Sequence, residues 1–166
     1  MDADRLDRTE LAETRKLDSH GRLAYFWRIF ATFLEGAPRD IPIGGIHPYL
    51  ILEEAGQPGH YIQFKLFSGE PEGEDLYGEV GSREWLEPTA PNAPLPPLAR
   101  GFLAAYGFTG GGKAANYSRW HLPMDAVWLA GLTEALFSVY EPPSSFAVLI
   151  KSDVPAVMAV AGESRR

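Results

Sequence analysis

The sequence predicts an α+β domain: an antiparallel, meandering β-sheet with helices packed on one face. Three observations carry this reading. Extended segments are grouped ahead of helices, as in folds whose helices gather on one side of a sheet. Two stretches carry apolar residues at three- and four-residue spacing, the mark of an amphipathic helix. The connections between the extended segments are too short for the crossovers that parallel pairing requires. With 166 residues and 45% hydrophobic content, the chain suits one compact core.

Residues 1–19 are a run of mixed charge with Leu6, Leu11 and Leu17 as the large apolar residues, and read as a mobile arm or surface helix. The domain proper is expected over 20–153, followed by a small apolar tail over 154–166 whose structure the pattern does not assign. From Gly21 to Glu35, Leu23, Phe26, Trp27, Phe30, Phe33 and Leu34 fall on one broad helical face, and Gly36 and Pro38 stop the helix. Tyr49–Glu53, Gly59–Phe67 and Leu76–Val80 read as three successive strands. In the second, Ile62, Phe64 and Leu66 share the core side while Tyr61, Gln63 and Lys65 face outward, beside Tyr49 and Tyr77 of the neighbours.

The proline-rich Glu87–Pro97 reads as a rigid connector, and Leu95 to Tyr106 as a helix closed by Gly107. A glycine-rich loop over Thr109–Ala115 leads to Asn116–Leu122, which has strand composition. Pro123 and Asp125 open a second strong helix with Val127, Trp128, Leu132, Ala135, Leu136, Val139 and Tyr140 on its apolar face. Phe146–Ile150 is a final strand or a buried extension.

The residue inventory excludes several chemistries. Without cysteine there is no thiol nucleophile, no cysteine zinc site and no disulfide framework. A net charge of −7 argues against non-specific nucleic-acid binding, which draws on excess positive charge. The acidic start and the absence of a long apolar run point to a soluble, cytoplasmic protein with no membrane insertion.

Gly107–Ala114 matches the phosphate-loop spacing except that Ala114 stands where a magnesium-binding hydroxyl belongs, and a helix precedes it where a strand should. It reads as a connector. His20, His47, His60 and His121 lack metal-ligand spacing, and no Gly-x-Ser-x-Gly elbow is present. Glu70–Asp75 lacks the alternating ligands of a calcium loop. Glu53 and Glu54, adjacent on a strand, point to opposite faces and cannot flank one bond. We therefore expect no catalytic residue, no metal and no cofactor.

What remains is aromatic surface. Tyrosine combines large contact area with a polar tip and is enriched at interfaces. Tyr49, Ile51, Tyr61, Gln63 and Tyr77, with Trp85 at the rim, are the candidate contacts for a client peptide lying on the sheet face or its edge.

The series also resembles a known family. Tyr61-Ile-Gln-Phe64, Leu76-Tyr-Gly-Glu-Val80 and Trp85-Leu86 look like the YxQF … ExV … L pattern of the YbjN-like and type III secretion chaperone-like superfamily. Leu103-x-x-Tyr-Gly-Phe108, Asn116-Tyr117 and the stretch from Ala126 to Pro143 are similar to its later elements, in order. The resemblance implies a small acidic bacterial α+β protein, often dimeric, that holds client peptides and catalyses nothing. A structural or regulatory homodimer without a client is the alternative, with the last helix or Phe146–Ile150 as its seam.

Overall fold

The computed structural model describes residues 11–39, 41–42, 44–57, 59–68, 73–81, 97–110, 116–139 and 143–163. Helix α1, Ser19–Gly36, begins where the Asp18 side chain accepts a hydrogen bond from the Gly21 N–H at 2.8 Å. This cap satisfies one of the donors a helix start leaves unpaired. The buried stripe is Arg22, Phe26, Ile29, Phe30 and Phe33, so the face is rotated from the expected one. Leu23 and Trp27 are exposed instead, at 43% and 53%. The rotation follows from Arg22, whose charge is matched inside: Nε and Nη2 donate to the two carboxylate oxygens of Glu134 at 2.8 and 2.7 Å, and Nη1 donates to Leu17 O. A forked guanidinium–carboxylate pair is the arrangement in which a buried arginine is tolerated. The guanidinium also lies 4.0 Å from the Phe146 ring centroid.

Among the described residues the main sheet has seven strands, each antiparallel to its neighbours. The expected meander is its centre: β3 Tyr49–Glu54, β4 Tyr61–Phe67 and β5 Asp75–Val80. On the far side of β5 a hairpin of β6 (Thr109–Gly110) and β7 (Tyr117–Arg119) continues the sheet, so the start of the expected glycine-rich loop is a short strand. On the far side of β3 lies β9, Val148–Ser152, followed by β1, Ala12–Glu13. A second, two-stranded pairing joins β2 (Leu17–Asp18) to β8 (Ser145–Phe146). Residues 12–13 and 17–18 are therefore paired strands rather than a mobile arm or surface helix; residues 1–10 lie outside the described residues.

Helix α2 spans Pro97–Ala105 and ends at Gly107, whose φ of 82° suits a residue without a Cβ. Helix α3, Ala126–Ser138, is capped by Asp125, whose carboxylate accepts from the N–H groups of Val127 and Trp128. The tail becomes helix α4, Pro155–Glu163, with Val157 and Ala161 buried. It packs on α1 and the sheet, bringing Arg28 Nη2 2.6 Å from Glu163.

Strand alternation sorts the side chains into two layers. Leu50, Leu52, Ile62, Phe64, Leu66, Val80, Val148 and Ile150 face the helices and join Phe26, Phe30, Phe33, Leu129, Leu136 and Phe137 in one core. Phe30 meets Phe64 edge-on at 5.0 Å, and Phe137 meets Phe26 and Phe146 at 5.9 and 5.7 Å. Phe146, Val148 and Ile150 are thus interior. They cannot form the dimer seam expected of that segment, because their apolar area is already spent inside the fold.

Candidate functional site

The opposite face of the sheet carries the residues singled out from the sequence. Register places them in rows: Tyr49, Lys65 and Tyr77 form one, and Lys151, Ile51, Gln63 and Glu79 the next. Glu53 lies opposite Tyr61, on this face, while Glu54 turns to the helix side and meets His60 Nδ1 at 3.0 Å. The separation expected for those two carboxylates is what the strand imposes.

The face is more enclosed than expected. Tyr61, Ile51 and Gln63 are 3%, 3% and 4% exposed, so the outward-facing residues are buried in their own right. They do so without joining the helix-side cluster. Tyr49 and Tyr77 are half-buried, and Trp85 lies outside the described residues.

Tyr61 is held from two sides. Gly81 leaves room for its ring: a Cβ there would approach Tyr61 Cε1 to 2.5 Å, closer than any real contact. Its hydroxyl accepts from Asn116 Nδ2 at 3.0 Å, and the same amide donates to Glu79 Oε1. Glu79 Oε2 accepts from the Tyr77 hydroxyl at 3.3 Å. Burial, reinforced by the nearby Glu79 carboxylate, pushes the Tyr77 phenol above its ordinary pKa, since both disfavour a phenolate there. Tyr61 and Tyr77 are therefore anchored members of one polar network.

Beside this network opens a pocket of about 390 Å³, within the size range of small-ligand sites. Its floor is Tyr49 and Ile51 of β3, Gln63, Lys65 and Phe67 of β4, and Lys151 of β9; the loop residues Gly45, Ile46 and His47 form its rim. Two polar atoms here are buried with no hydrogen-bond partner among the described residues: Gln63 Oε1 and His47 Nδ1. Such atoms are uncommon in folded proteins and costly when nothing meets them. The Tyr49 backbone is fixed by the end of β9 and the residue after it, its N–H donating to Asp153 and its carbonyl accepting from the Ser152 hydroxyl.

An aromatic wall continues from the pocket. The His47 ring lies 4.3 Å from that of Phe67, tilted by 43°; Phe67 lies 5.0 Å from Trp120 and 6.3 Å from Tyr77, and Tyr77 and Trp120 are 4.7 Å apart. Trp120 is half exposed and Ile46 is 79% exposed, so the wall ends in open apolar surface. His121, at φ 58°, turns the chain after Trp120, and its backbone N–H donates to Asp75 at 2.9 Å.

Three of the six sequence candidates, Tyr49, Ile51 and Gln63, thus line one pocket. Tyr61 and Tyr77 flank it. Sequence reasoning missed Phe67 and Lys65 as members of the site, although the two-residue period from Gln63 already places both on this face. His47, Trp120 and Lys151 carry no local signal, since only the tertiary strand order brings them here. Among the described residues no cluster of three or more histidine, aspartate or glutamate side chains is arranged for a metal ion, and no helix is long and apolar enough to cross a membrane. Comparison with protein-family models, with curated proteins and with solved structures finds no match.

Proposed function

We propose that this chain is a non-catalytic, cytoplasmic peptide-binding module whose client lies on the sheet face opposite the helices. The observation that carries this reading is the pocket over Tyr49, Ile51 and Gln63, continuous with the His47–Phe67–Trp120 wall. It offers apolar area to a peptide side chain, chiefly from Ile51 and Phe67. Binding uses the face rather than the edge, because among the described residues the terminal strands β1 and β6 have two residues each and give little backbone to pair with. The resemblance to YbjN-like and secretion chaperone-like proteins points the same way.

The test is selection from a displayed random-peptide library with the full chain as bait, followed by affinity measurement of the enriched sequences. Binding is expected to fall at least tenfold in Phe67→Ala and to persist in Trp27→Ala, on the helix side. Failure to enrich any sequence, or enriched sequences indifferent to Phe67→Ala, overturns the proposal.

A specific observation favours a second reading, a homodimer without a client. Leu23 and Trp27 lie one turn apart on α1 and are both exposed. Self-association would use that face of α1. Light scattering of the wild type against Leu23→Glu/Trp27→Glu separates a dimer from a monomer.

A further inference from the structure

We infer that Trp120 is the residue that sets which side chain the client presents, a large apolar one, and that Asp75 and His121 position it. This rests on the peptide-binding reading and adds the specificity of that same face. Three observations lead to it.

The first is a slip in strand alternation. In β7, Tyr117 pairs with Val80 and joins the helix-side core, while Ser118 pairs with Glu79 on the opposite face. The two-residue period sets Trp120 with Ser118 and would set Leu122 there as well. Leu122 is instead 4% exposed and part of the helix-side core. It fills the space that Gly78 leaves open, where a Cβ would come within 2.6 Å of Leu122 Cδ1. Trp120 keeps to the other layer, its ring 4.7 Å from Tyr77 and 5.0 Å from Phe67. The residue between the two is His121.

The second is how the slip is made. Among the described residues His121 is the one non-glycine with a left-handed backbone, at φ 58°. That conformation is costly for a residue with a Cβ and easy for glycine. The imidazole is 85% exposed, so the turn does not serve to bury it. Asp75 holds the turn: one carboxylate oxygen accepts from the His121 N–H at 2.9 Å and lies 3.0 Å from the ring Nδ1. The next N–H, that of Leu122, donates to Leu76 O at 3.0 Å. The turn is thereby pinned to the first two residues of β5, the strand that also carries Tyr77.

The third is what the pinned turn displays. Trp120 is left 49% exposed against two aromatic neighbours, at the end of the wall that begins at the pocket. The fold gains little from an indole half in water. A ligand gains a broad apolar surface that is already held in place and loses little freedom on contact. With Phe67 and Tyr77 beside it, that surface suits a large apolar side chain.

Selection of random peptides by the wild type and by Trp120→Ala supplies the test, with enriched sequences remade for affinity measurement. The wild type is expected to enrich sequences sharing one large apolar residue at a fixed position, and to bind them about tenfold more tightly than Trp120→Ala does. Changing that peptide residue to alanine is expected to cost the wild type about tenfold and Trp120→Ala less than about twofold, the coupling that direct contact produces. Asp75→Ala is expected to weaken binding about fivefold and to shift the Trp120 indole N–H resonance. Asp75→Asn keeps an acceptor for the His121 N–H and is expected to restore both. His121→Gly takes the left-handed turn without strain and is expected to bind like the wild type. His121→Val resists positive φ, is expected to lose affinity as Asp75→Ala does, and carries the test should that variant not fold. Equal preference and affinity in the wild type and Trp120→Ala, with binding still lost in Phe67→Ala, overturns the Trp120 assignment and leaves the peptide-binding reading standing. Loss in Trp120→Ala with full affinity in Asp75→Ala and His121→Val overturns the positioning role. No enrichment by the wild type overturns the peptide-binding reading and this inference with it.

Discussion

Replacing Gln63 with methionine tests whether this position is shaped for a ligand or for the fold. The side chain keeps its length and lack of branching, so packing changes little. What disappears is a buried amide whose oxygen has no partner among the described residues and whose residue is 4% exposed. A buried acceptor left unmet costs roughly 1–3 kcal/mol, and a volume-conserving apolar exchange costs under about 1.5 kcal/mol. The balance favours the variant by about 1 kcal/mol. For a domain of this size that raises Tm by roughly 2–4 °C. Urea and thermal unfolding, followed by circular dichroism, read the change directly. Peptide affinity is expected to move the opposite way, falling about tenfold, because the pocket loses a polar lining residue. Greater stability with weaker binding is the signature of a residue kept for function at the expense of the fold. A destabilisation beyond about 1 kcal/mol would refute the reasoning, since the amide would then be satisfied in solution and serve the structure.

Three further outcomes follow from the geometry. Arg22→Met strands the Glu134 carboxylate in the interior and is expected to cost about 3–5 kcal/mol, while Arg22→Met/Glu134→Met recovers most of that loss; urea unfolding of the single and double variants measures the coupling. Gly81→Ala drives a methyl into the Tyr61 ring and is expected to destabilise by about 1–3 kcal/mol, with a weakened Tyr61–Asn116 bond visible as a shifted Asn116 side-chain amide resonance. Because the folded state raises the Tyr77 phenol, its contribution to stability is complete below the unfolded value of ~10 and is lost as pH climbs through the folded one. Tyr77→Phe is therefore expected to blunt the alkaline loss of stability, and tyrosinate absorbance should show one late-titrating phenol missing.

The parts of this fold that were legible are those ruled by local periodicity. The meander from Tyr49 to Val80 and helices α1 and α3 follow from two- and 3.6-residue repeats, and their turns sit at glycine and proline. The rotation of α1 was not legible, because Leu23 and Trp27 are as apolar as the residues that replaced them inside, and Arg22 is admitted only by a carboxylate 112 positions away. The outward set of β4 was identified correctly as a face but not as buried. Burial depends on what lies across the sheet, which alternation within one strand does not encode. Helix α4 was equally hidden, since a short run of valine and alanine is compatible with strand or helix until a partner surface selects one.

The placement of β9 has a consequence for how the protein is made. Strand β3 is fully buried only when Val148–Ser152 lies along it, and that strand comes from near the far end of the chain. A nascent chain that has released the Tyr49–Val80 meander but not β9 presents Tyr-Leu-Ile-Leu-Glu-Glu as a bare hydrogen-bonding border, flat and greasy on its helix side. Any variant that ends before Val148 keeps that border permanently and should accumulate as inclusion bodies, whatever the quality of its ligand pocket. Expression strategies and evolutionary truncations are thus constrained at the carboxy-terminal third, far in sequence from the segment they would expose.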